Sequence, residues 1–198
     1  MKHFWFRLHL IVRIAEDASG GGSSSLEELA GKCVDGDTAA ERRLFDALAP
    51  KMLSVCLRYT GDRMVAEDLL QDGFVTLFTH LDSYTGSGSF EGWARKIFVN
   101  TALMYLRKKD ALKDTEDIAE ARTLTSGSAS AVEHIGYKEL MKMIGSLPAD
   151  YRTVFNMFVI EGYSHKEIAE ALGMTEATSR SKLQRARIRL QEMIEKNG

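Results

Sequence analysis

The spacing of apolar residues is the feature that most constrains the fold of this 198-residue chain. From residue 26 onward, apolar side chains recur at helical intervals, and no segment alternates with the two-residue period of a strand. The chain has only 2 prolines, which suits long helices because proline removes a backbone donor. The sequence therefore predicts an all-α protein with two small helical domains.

Glycine–aspartate pairs divide the first half of the chain into separate helices. Asp37 and Asp62 each follow a glycine and are N-cap residues by type, so we predict that helices begin directly after them. The second of these helices is expected over residues 63–81, and a Gly/Ser-rich loop over residues 82–89 leads into a helix over residues 90–109. Helices in the second half are predicted over residues 136–146, 149–161, 165–172 and 176–196.

Composition predicts the domain boundaries. Residues 1–25 form an N-terminal extension and flexible linker, without an apolar run long enough for a signal peptide or a membrane span. An amphipathic segment that docks on a partner is the alternative for this extension. We place the first domain at residues 26–109, an acidic linker at residues 110–134 and the second domain at residues 135–198.

The net charge of −2 conceals large local differences. Residues 62–82 carry five acids and one base, and the predicted linker carries six acids and two bases. Residues 93–109 instead carry five bases and no acid, and residues 174–190 carry five bases and one acid. Average charge argues against a nucleic-acid partner, whereas two basic helices favour one. Solvated helix faces are the alternative.

Cysteine and histidine usage indicates no metal centre. Cys33 and Cys56 are too few for a disulfide framework or a four-ligand zinc site, and the five histidines are scattered. We expect both cysteines to be reduced and at least partly buried. No nucleophile–base pair or phosphate-binding loop is evident, so the sequence predicts neither an enzyme nor a cofactor.

Residues 164–190 have the pattern of a helix-turn-helix motif. Ser164 and Glu167 have capping-box spacing, Gly173 suits the turn, and Thr175 is placed to cap the second helix. On that helix the apolar side contains Leu183, Ala186 and Leu190. The opposing polar side, predicted to contact DNA, contains Thr178, Ser181, Lys182, Arg185 and Arg189, with Arg180 and Arg187 at its margins. A solvated helix that closes the bundle is the alternative.

The helix that begins near Trp93 has a basic and aromatic side. Its expected core side comprises Ala94, Ile97, Thr101, Ala102 and Tyr105, and its other side comprises Trp93, Lys96, Asn100 and Arg107. Aromatic rings stack on exposed bases, cations hold phosphates, and amides read base edges, so this side suits a partly unpaired strand. Trp93 packed into the bundle is the alternative.

In this order, the segments resemble the extracytoplasmic-function (ECF) sigma factors, which are promoter-recognition subunits of bacterial RNA polymerase. Residues 66–74 (AEDLLQDGF) resemble the polymerase-binding helix of region two. Residues 90–109 resemble the segment of the family that melts the promoter and recognises the minus-ten element. Residues 147–169 resemble region four, which recognises the minus-thirty-five element. The resemblance rests on LP at 147–148, YR at 151–152, EGYS at 161–164 and KEIA at 166–169. The resemblance implies a non-enzymatic cytoplasmic protein that directs transcription initiation. Its implied partners are core RNA polymerase, promoter DNA and an anti-sigma factor, with one copy in the holoenzyme and no membrane insertion.

The resemblance also implies roles for individual residues. The resemblance assigns polymerase binding to Glu67, Asp68, Leu69, Gln71, Asp72 and Phe74. It assigns recognition of the minus-ten element to Ser87, Ser89, Phe90, Trp93, Lys96, Asn100 and Arg107. It assigns recognition of the minus-thirty-five element to Thr178, Arg180, Ser181, Lys182, Arg185 and Arg189.

Two residues depart from the family pattern. Ser179 stands on the core side of the second motif helix, where an apolar β-branched residue is usual, and we expect its hydroxyl to bond back to the preceding turn. Met104 stands where a polar residue is common, which affects the base preference expected at the minus-ten element.

A conventional helix-turn-helix repressor or activator with a helical sensor domain is the second hypothesis. Such proteins usually dimerise on palindromic sites, whereas a sensor domain has no need of a basic and aromatic helix.

Overall fold

The computed structural model describes residues 25–113 and 136–197 of the chain. They fall into two compact units that divide between Lys108 and Lys109. Every regular element in the described ranges is helical, which confirms the predicted all-α class. The predicted extension before Ser25 and most of the predicted linker lie outside the described residues.

The described residues of the first unit, with the end of the last helix that continues beyond it, form four α-helices and one short 3₁₀ turn. They are α1 (Leu26–Val34), α2 (Thr38–Thr60), α3 (Arg63–Thr79), the turn Leu81–Ser83 and α4 (Phe90–Lys113). Asp37 Oδ1 accepts the amides of Ala39 and Ala40 at 2.9 and 3.1 Å, and Asp62 Oδ1 accepts that of Val65 at 3.1 Å. Both predicted N-caps are confirmed.

The helix boundaries differ from the prediction at three places. Ser25, expected to belong to the linker, is the N-cap of α1 and accepts the amide of Glu28 at 3.1 Å. Helix α3 ends at Thr79, and the 3₁₀ turn carries the chain through Leu81. Helix α4 continues four residues beyond Lys109, into the segment predicted as linker.

The core of the first unit depends on a close approach of α3 and α4. An added Cβ on Gly73 would lie 2.3 Å from two ring atoms of Phe98, so only glycine allows the ring to pack there. Phe74 continues this contact, with its ring centroid 4.5 Å from that of Phe45 and 5.1 Å from that of Phe98. These contacts fix which side of α4 faces inward.

The buried side of α4 is rotated from the predicted one. Ala94 and Ala102 are buried as expected, but Ile97, Thr101 and Tyr105 are only half-buried. The residues that complete the core are Phe90, Phe98, Val99 and Leu103, each no more than 2% exposed. The prediction was wrong here because it used the apolar period of one helix alone. The Phe98 ring packs against α3 at Gly73, where the absence of a Cβ leaves room for it.

The second unit is built around its last helix. Its elements are α5 (Tyr137–Gly145), α6 (Ala149–Phe155), a π-helical turn (Asn156–Ile160), α7 (His165–Leu172) and α8 (Glu176–Asn197). Helices α5, α6 and α7 all pack on α8. The helix predicted over residues 149–161 is therefore present, with a π turn as its last part.

Arg152 joins α5 to α6 from a buried position. Its Nη1 donates to the carbonyls of Gly145 and Leu147 at 2.6 and 3.1 Å, which satisfies acceptors at the C-terminal end of α5. Burial lowers the pKa of this guanidinium from its usual value. Arg152, the arginine of the YR pair, therefore has a structural role.

Both cysteines are buried free thiols, as expected. Burial raises the pKa of Cys56 to about 12 and also raises that of Cys33. Nowhere in residues 25–113 and 136–197 do three or more His, Cys, Asp or Glu side chains group so as to hold a metal ion. Among the described helices, none is both long and apolar enough to cross a bilayer.

Candidate nucleic-acid interface

The helix-turn-helix motif forms as the sequence predicts. Ser164 N donates to Glu167 Oε2 at 2.7 Å while Glu167 N donates to Ser164 Oγ at 3.2 Å, which completes the capping box. Gly173 ends α7 with φ 63°, in the left-handed region that glycine tolerates. Thr175 Oγ1 accepts the amide of Thr178 at 3.1 Å and so caps α8.

The two sides of α8 separate as expected. Leu183, Ala186 and Leu190 are no more than 3% exposed. The predicted contact residues Thr178, Arg180, Ser181, Arg185 and Arg189 are exposed, and Lys182 is half-buried. The basic side of this helix is therefore available to a partner.

Sequence reasoning missed Gln184. This residue is exposed, and one helical turn separates it from Ser181. A side-chain amide at such a position can bond adenine in the major groove with both its donor and its acceptor. A helical projection of the sequence already places Gln184 away from the apolar residues. The prediction omitted it because it considered mainly charged side chains.

The side of α4 that is predicted to contact DNA is largely exposed. Lys96, Asn100 and Arg107 are exposed, and Trp93 is half-buried at one end of the row. Met104 joins this side and is 67% exposed. An aromatic ring, an amide, a thioether and two cations therefore share one accessible surface on α4.

Trp93 belongs to an aromatic cluster with Tyr84 and Phe90. The Trp93 centroid lies 5.4 Å from each of the other two rings, and those two are 5.1 Å apart. Phe90 is fully buried, so its ring supports the cluster from inside and is not presented to a partner. Trp93 therefore packs in the bundle, as the alternative interpretation expects, while the residue stays half-buried.

The loop before α4 is held by short-range bonds. Ser87 and Ser89 are exposed, and Ser89 Oγ accepts the amide of Gly92 at 3.1 Å, as an N-cap does. Gly88 has φ 78°, and its carbonyl accepts the hydroxyl of Tyr84 at 2.8 Å. The aromatic cluster and the loop thus form one connected structure.

The predicted polymerase-binding residues on α3 divide into two groups. Glu67, Asp68, Gln71 and Asp72 are exposed, whereas Leu69 and Phe74 are 4% exposed and belong to the core. Two apolar residues missed by the sequence reasoning, Met64 and Val75, are 75% and 67% exposed. The outer surface of α3 is therefore acidic with apolar residues near both of its ends.

Comparison with known proteins identifies the family. The model for Sigma-70 region 2 matches residues 44–112, and that for Sigma-70, region 4 matches residues 137–190. The ECF RNA polymerase sigma-E factor of Escherichia coli strain K12 is 32% identical over 165 residues, 77% of this chain and 85% of that protein. The chain belongs to the ECF sigma factor family.

A second relative and one solved structure are also similar to this chain. The ECF RNA polymerase sigma factor SigE of Mycolicibacterium smegmatis is 29% identical over 155 residues, which cover 76% of this chain but only 60% of that relative. The sigma factor RpoE of Bartonella quintana, solved in complex with the anti-sigma factor NepR, matches with TM-score 0.51 and 22% identity. That match covers 78% of this sigma factor and 96% of RpoE, and it shows a shared fold.

Helix α1 lies before the part of the sigma factor that the region 2 model matches. From α1, the carboxylate of Glu27 accepts the amide of Phe90 at 3.1 Å and so satisfies the first amide of α4. This hydrogen bond lowers the pKa of Glu27. The contact joins residues 63 positions apart, so no local sequence pattern indicates it.

Ser179 is fully buried on the core side of α8, but its hydrogen-bond partner is not the predicted one. Its hydroxyl lies 2.9 Å from Nδ1 of His165, in α7. The His165 ring stacks on Phe158 with centroids 4.4 Å apart. In this sigma factor a polar pair therefore joins the two helices of the motif where the family usually places an apolar residue.

The stability of the second unit is expected to fall as the pH drops. Burial, with the charge of Arg180 next in size, lowers the pKa of His165, although Glu176 opposes this. The folded state then prefers neutral imidazole, so stability is complete above the unfolded value of about 6.5 and declines below it. Urea unfolding between about pH 7.5 and 5.5 measures the effect. The variant His165→Gln should lose part of the slope; a slope equal to that of the parent protein would contradict this coupling.

Proposed function

We propose that this ECF sigma factor binds core RNA polymerase and directs initiation at promoters with two DNA-contact surfaces. The observation that carries the proposal is the presence in one chain of the exposed contact side of α4 and the exposed basic side of α8. A repressor of the usual kind needs only the second surface. The combination therefore favours promoter recognition with strand opening.

The surface of α8 supports minus-thirty-five recognition. Its N-terminal residues are those that a recognition helix presents to base edges in the major groove, and Ser181, Gln184 and Arg185 supply donors and acceptors there. Thr178, Arg180, Lys182 and Arg189 lie towards the margins of this surface and suit phosphates. Because phosphate contacts position while base contacts specify, we assign sequence preference to the central three.

The surface of α4 supports minus-ten recognition and strand opening. Trp93 offers a ring for stacking, Asn100 offers an amide, and Lys96 and Arg107 offer charge to the strand backbone. Ser87 and Ser89 place small side chains at the adjacent loop, where a base that leaves the stack would find room. Met104 adds apolar surface in place of the polar residue usual there.

The outer surface of α3 supports polymerase binding. Met64 and Val75 provide exposed apolar area near the two ends of the helix, and Glu67, Asp68 and Asp72 provide charge between them. Exposed apolar residues beside charged ones suit a protein interface. We further propose a cytoplasmic location, no catalytic activity of its own, one copy per holoenzyme and control by an anti-sigma factor, as is usual in the family.

Alanine variants of α8 test the minus-thirty-five assignment. We expect Arg185→Ala and Lys182→Ala each to weaken binding to an upstream-element duplex by about 1–3 kcal/mol, because each removes a charged contact. Fluorescence anisotropy with duplexes enriched by the holoenzyme from a random pool gives the affinity. Lys196→Ala removes an exposed cation near the C-terminal end of the same helix and serves as the control. Unchanged affinity in both test variants would contradict the assignment.

A further inference from the structure

Three cations on one flank of α8 contact the first turn of α6. Lys182 Nζ lies 3.0 Å from Asp150 Oδ2, and Arg185 Nη1 donates to the hydroxyl of Tyr151 at 3.3 Å. The guanidinium carbon of Arg189 lies 5.6 Å from the centroid of the same Tyr151 ring. All three cations are predicted DNA contacts. Asp150 and Tyr151 of α6 therefore hold side chains that are predicted to bind DNA.

The two residues of α6 act differently on their partners. Tyr151 contacts Arg185 through its hydroxyl and Arg189 through its ring face, and neither contact brings a carboxylate against the cation. Asp150 opposes the charge of Lys182 with a carboxylate, and its other oxygen, Oδ1, accepts the amide of Tyr151 at 3.0 Å. The Asp150 carboxylate is therefore bonded through both oxygens while it faces Lys182.

The ion pair is accessible enough for exchange. The side chains of Lys182 and Asp150 are 26% and 47% exposed, so a DNA phosphate can approach Lys182 and take the place of the carboxylate. Partly exposed pairs of this kind are weak, and a single phosphate can displace one of them. Until that exchange occurs, Lys182 contributes little attraction to DNA of arbitrary sequence.

We propose that Asp150 is a specificity-determining residue that competes with DNA phosphate for Lys182. Non-specific binding depends on the number of phosphates that a protein neutralises, since each neutralised phosphate releases counterions. On random DNA, a lysine that is paired with a carboxylate neutralises no phosphate, so the number of neutralised phosphates is lower by one. At a cognate site the base contacts hold α8 close to the backbone, where phosphate replaces Asp150. The inference rests on the proposed role of α8 in DNA binding.

Salt dependence of binding by the full chain tests the proposal. The variant Asp150→Asn keeps an Oδ1 acceptor for the amide of Tyr151 but removes the charge that faces Lys182. On a random-sequence duplex, we expect affinity to rise several-fold at low salt, and the slope of log K against log salt to steepen by about 0.9, the value for one added phosphate contact. The ratio of cognate to random affinity should fall correspondingly.

Two further variants isolate the pair. Glu192→Gln removes one negative charge from an exposed position later in α8, so it controls for the change in net charge. In the Lys182→Gln background, Asp150→Asn should steepen the slope by less than in the parent protein, because the cation that it pairs with directly is absent. A slope in Asp150→Asn equal to that in Glu192→Gln would overturn the proposal.

The outcome is separable from failure of the proposed function. If Arg185→Ala weakens cognate binding while Asp150→Asn changes neither slope nor specificity, only the role of Asp150 is wrong. If Arg185→Ala also leaves cognate binding unchanged, the assignment of α8 to DNA fails first and this inference fails with it.

Discussion

Replacement of Gly73 with alanine is expected to destabilise the first unit by about 1–3 kcal/mol, the usual cost of an overpacked core. The new Cβ would lie 2.3 Å from the Cδ1 and Cε1 atoms of Phe98, a fully buried ring. Alanine favours a helix over glycine by up to about 1 kcal/mol, but a 2.3 Å approach to a fully buried ring places the packing cost at the upper end of that range, so a net loss remains. Urea denaturation of the full chain measures the free energy of unfolding.

Gly31 provides a matched control of opposite sign. It lies within α1, where an added Cβ meets nothing within 4 Å. Gly31→Ala should therefore stabilise the protein by up to about 1 kcal/mol. In a double-mutant cycle, Phe98→Leu should remove much of the penalty of Gly73→Ala, because the clashing ring is gone. Equal effects at the two glycines would show that α3 and α4 do not approach as described.

Replacement of Trp93 with alanine is expected to suppress promoter opening while upstream binding persists. Loss of base stacking costs about 1–3 kcal/mol per base, equivalent to about 5- to 150-fold fewer open complexes. A 2-aminopurine base in the non-template strand of the minus-ten element reports opening by the holoenzyme. Under the proposed function, binding to the upstream duplex depends on α8, so it should stay within about twofold of the parent value.

Trp93→Phe separates stacking from packing. Phenylalanine retains an aromatic ring beside Tyr84 and Phe90, so the cluster should persist and opening should recover in large part. Thermal unfolding of both variants shows whether the fold is intact. Normal opening by a folded Trp93→Ala variant would exclude the stacking role.

Local signals in the sequence predicted the elements of this fold well. The caps at Asp37 and Asp62 and the box at Ser164 and Glu167 involve residues at most three positions apart. Such bonds depend on local backbone geometry, which sequence spacing determines. The exposed basic side of α8 was predictable for the same reason, since one helix and its period suffice to define it.

Long-range contacts explain what the sequence did not predict. The inward side of α4 depends on the space above Gly73, and the N-terminus of α4 depends on Glu27. Ser179 was assigned a local acceptor, but the structure gives it His165, 14 residues away. A period within one helix carries no information on which residue of a neighbouring helix lies opposite, so these contacts required the structure.

The candidate site shows the same division. Exposure of Lys96, Asn100 and Arg107 on α4 was predictable from helical projection. The contacts of Lys182 with Asp150 and of Arg185 with Tyr151 join residues 32 and 34 positions apart, and nothing in the basic pattern of α8 indicates them. Sequence therefore predicted which polar side chains of α4 and α8 face outward, but not that Phe90, Leu69 and Phe74 are buried. The structure also showed what orients the cations of α8.

Run-off transcription with purified core RNA polymerase tests the central claim most directly. The full chain is added to core polymerase on templates enriched by that holoenzyme from a random pool. We expect specific transcripts that require the chain, that are strongly reduced with Trp93→Ala and Arg185→Ala, and that persist with Lys196→Ala. Absence of chain-dependent initiation on every enriched template would contradict the account.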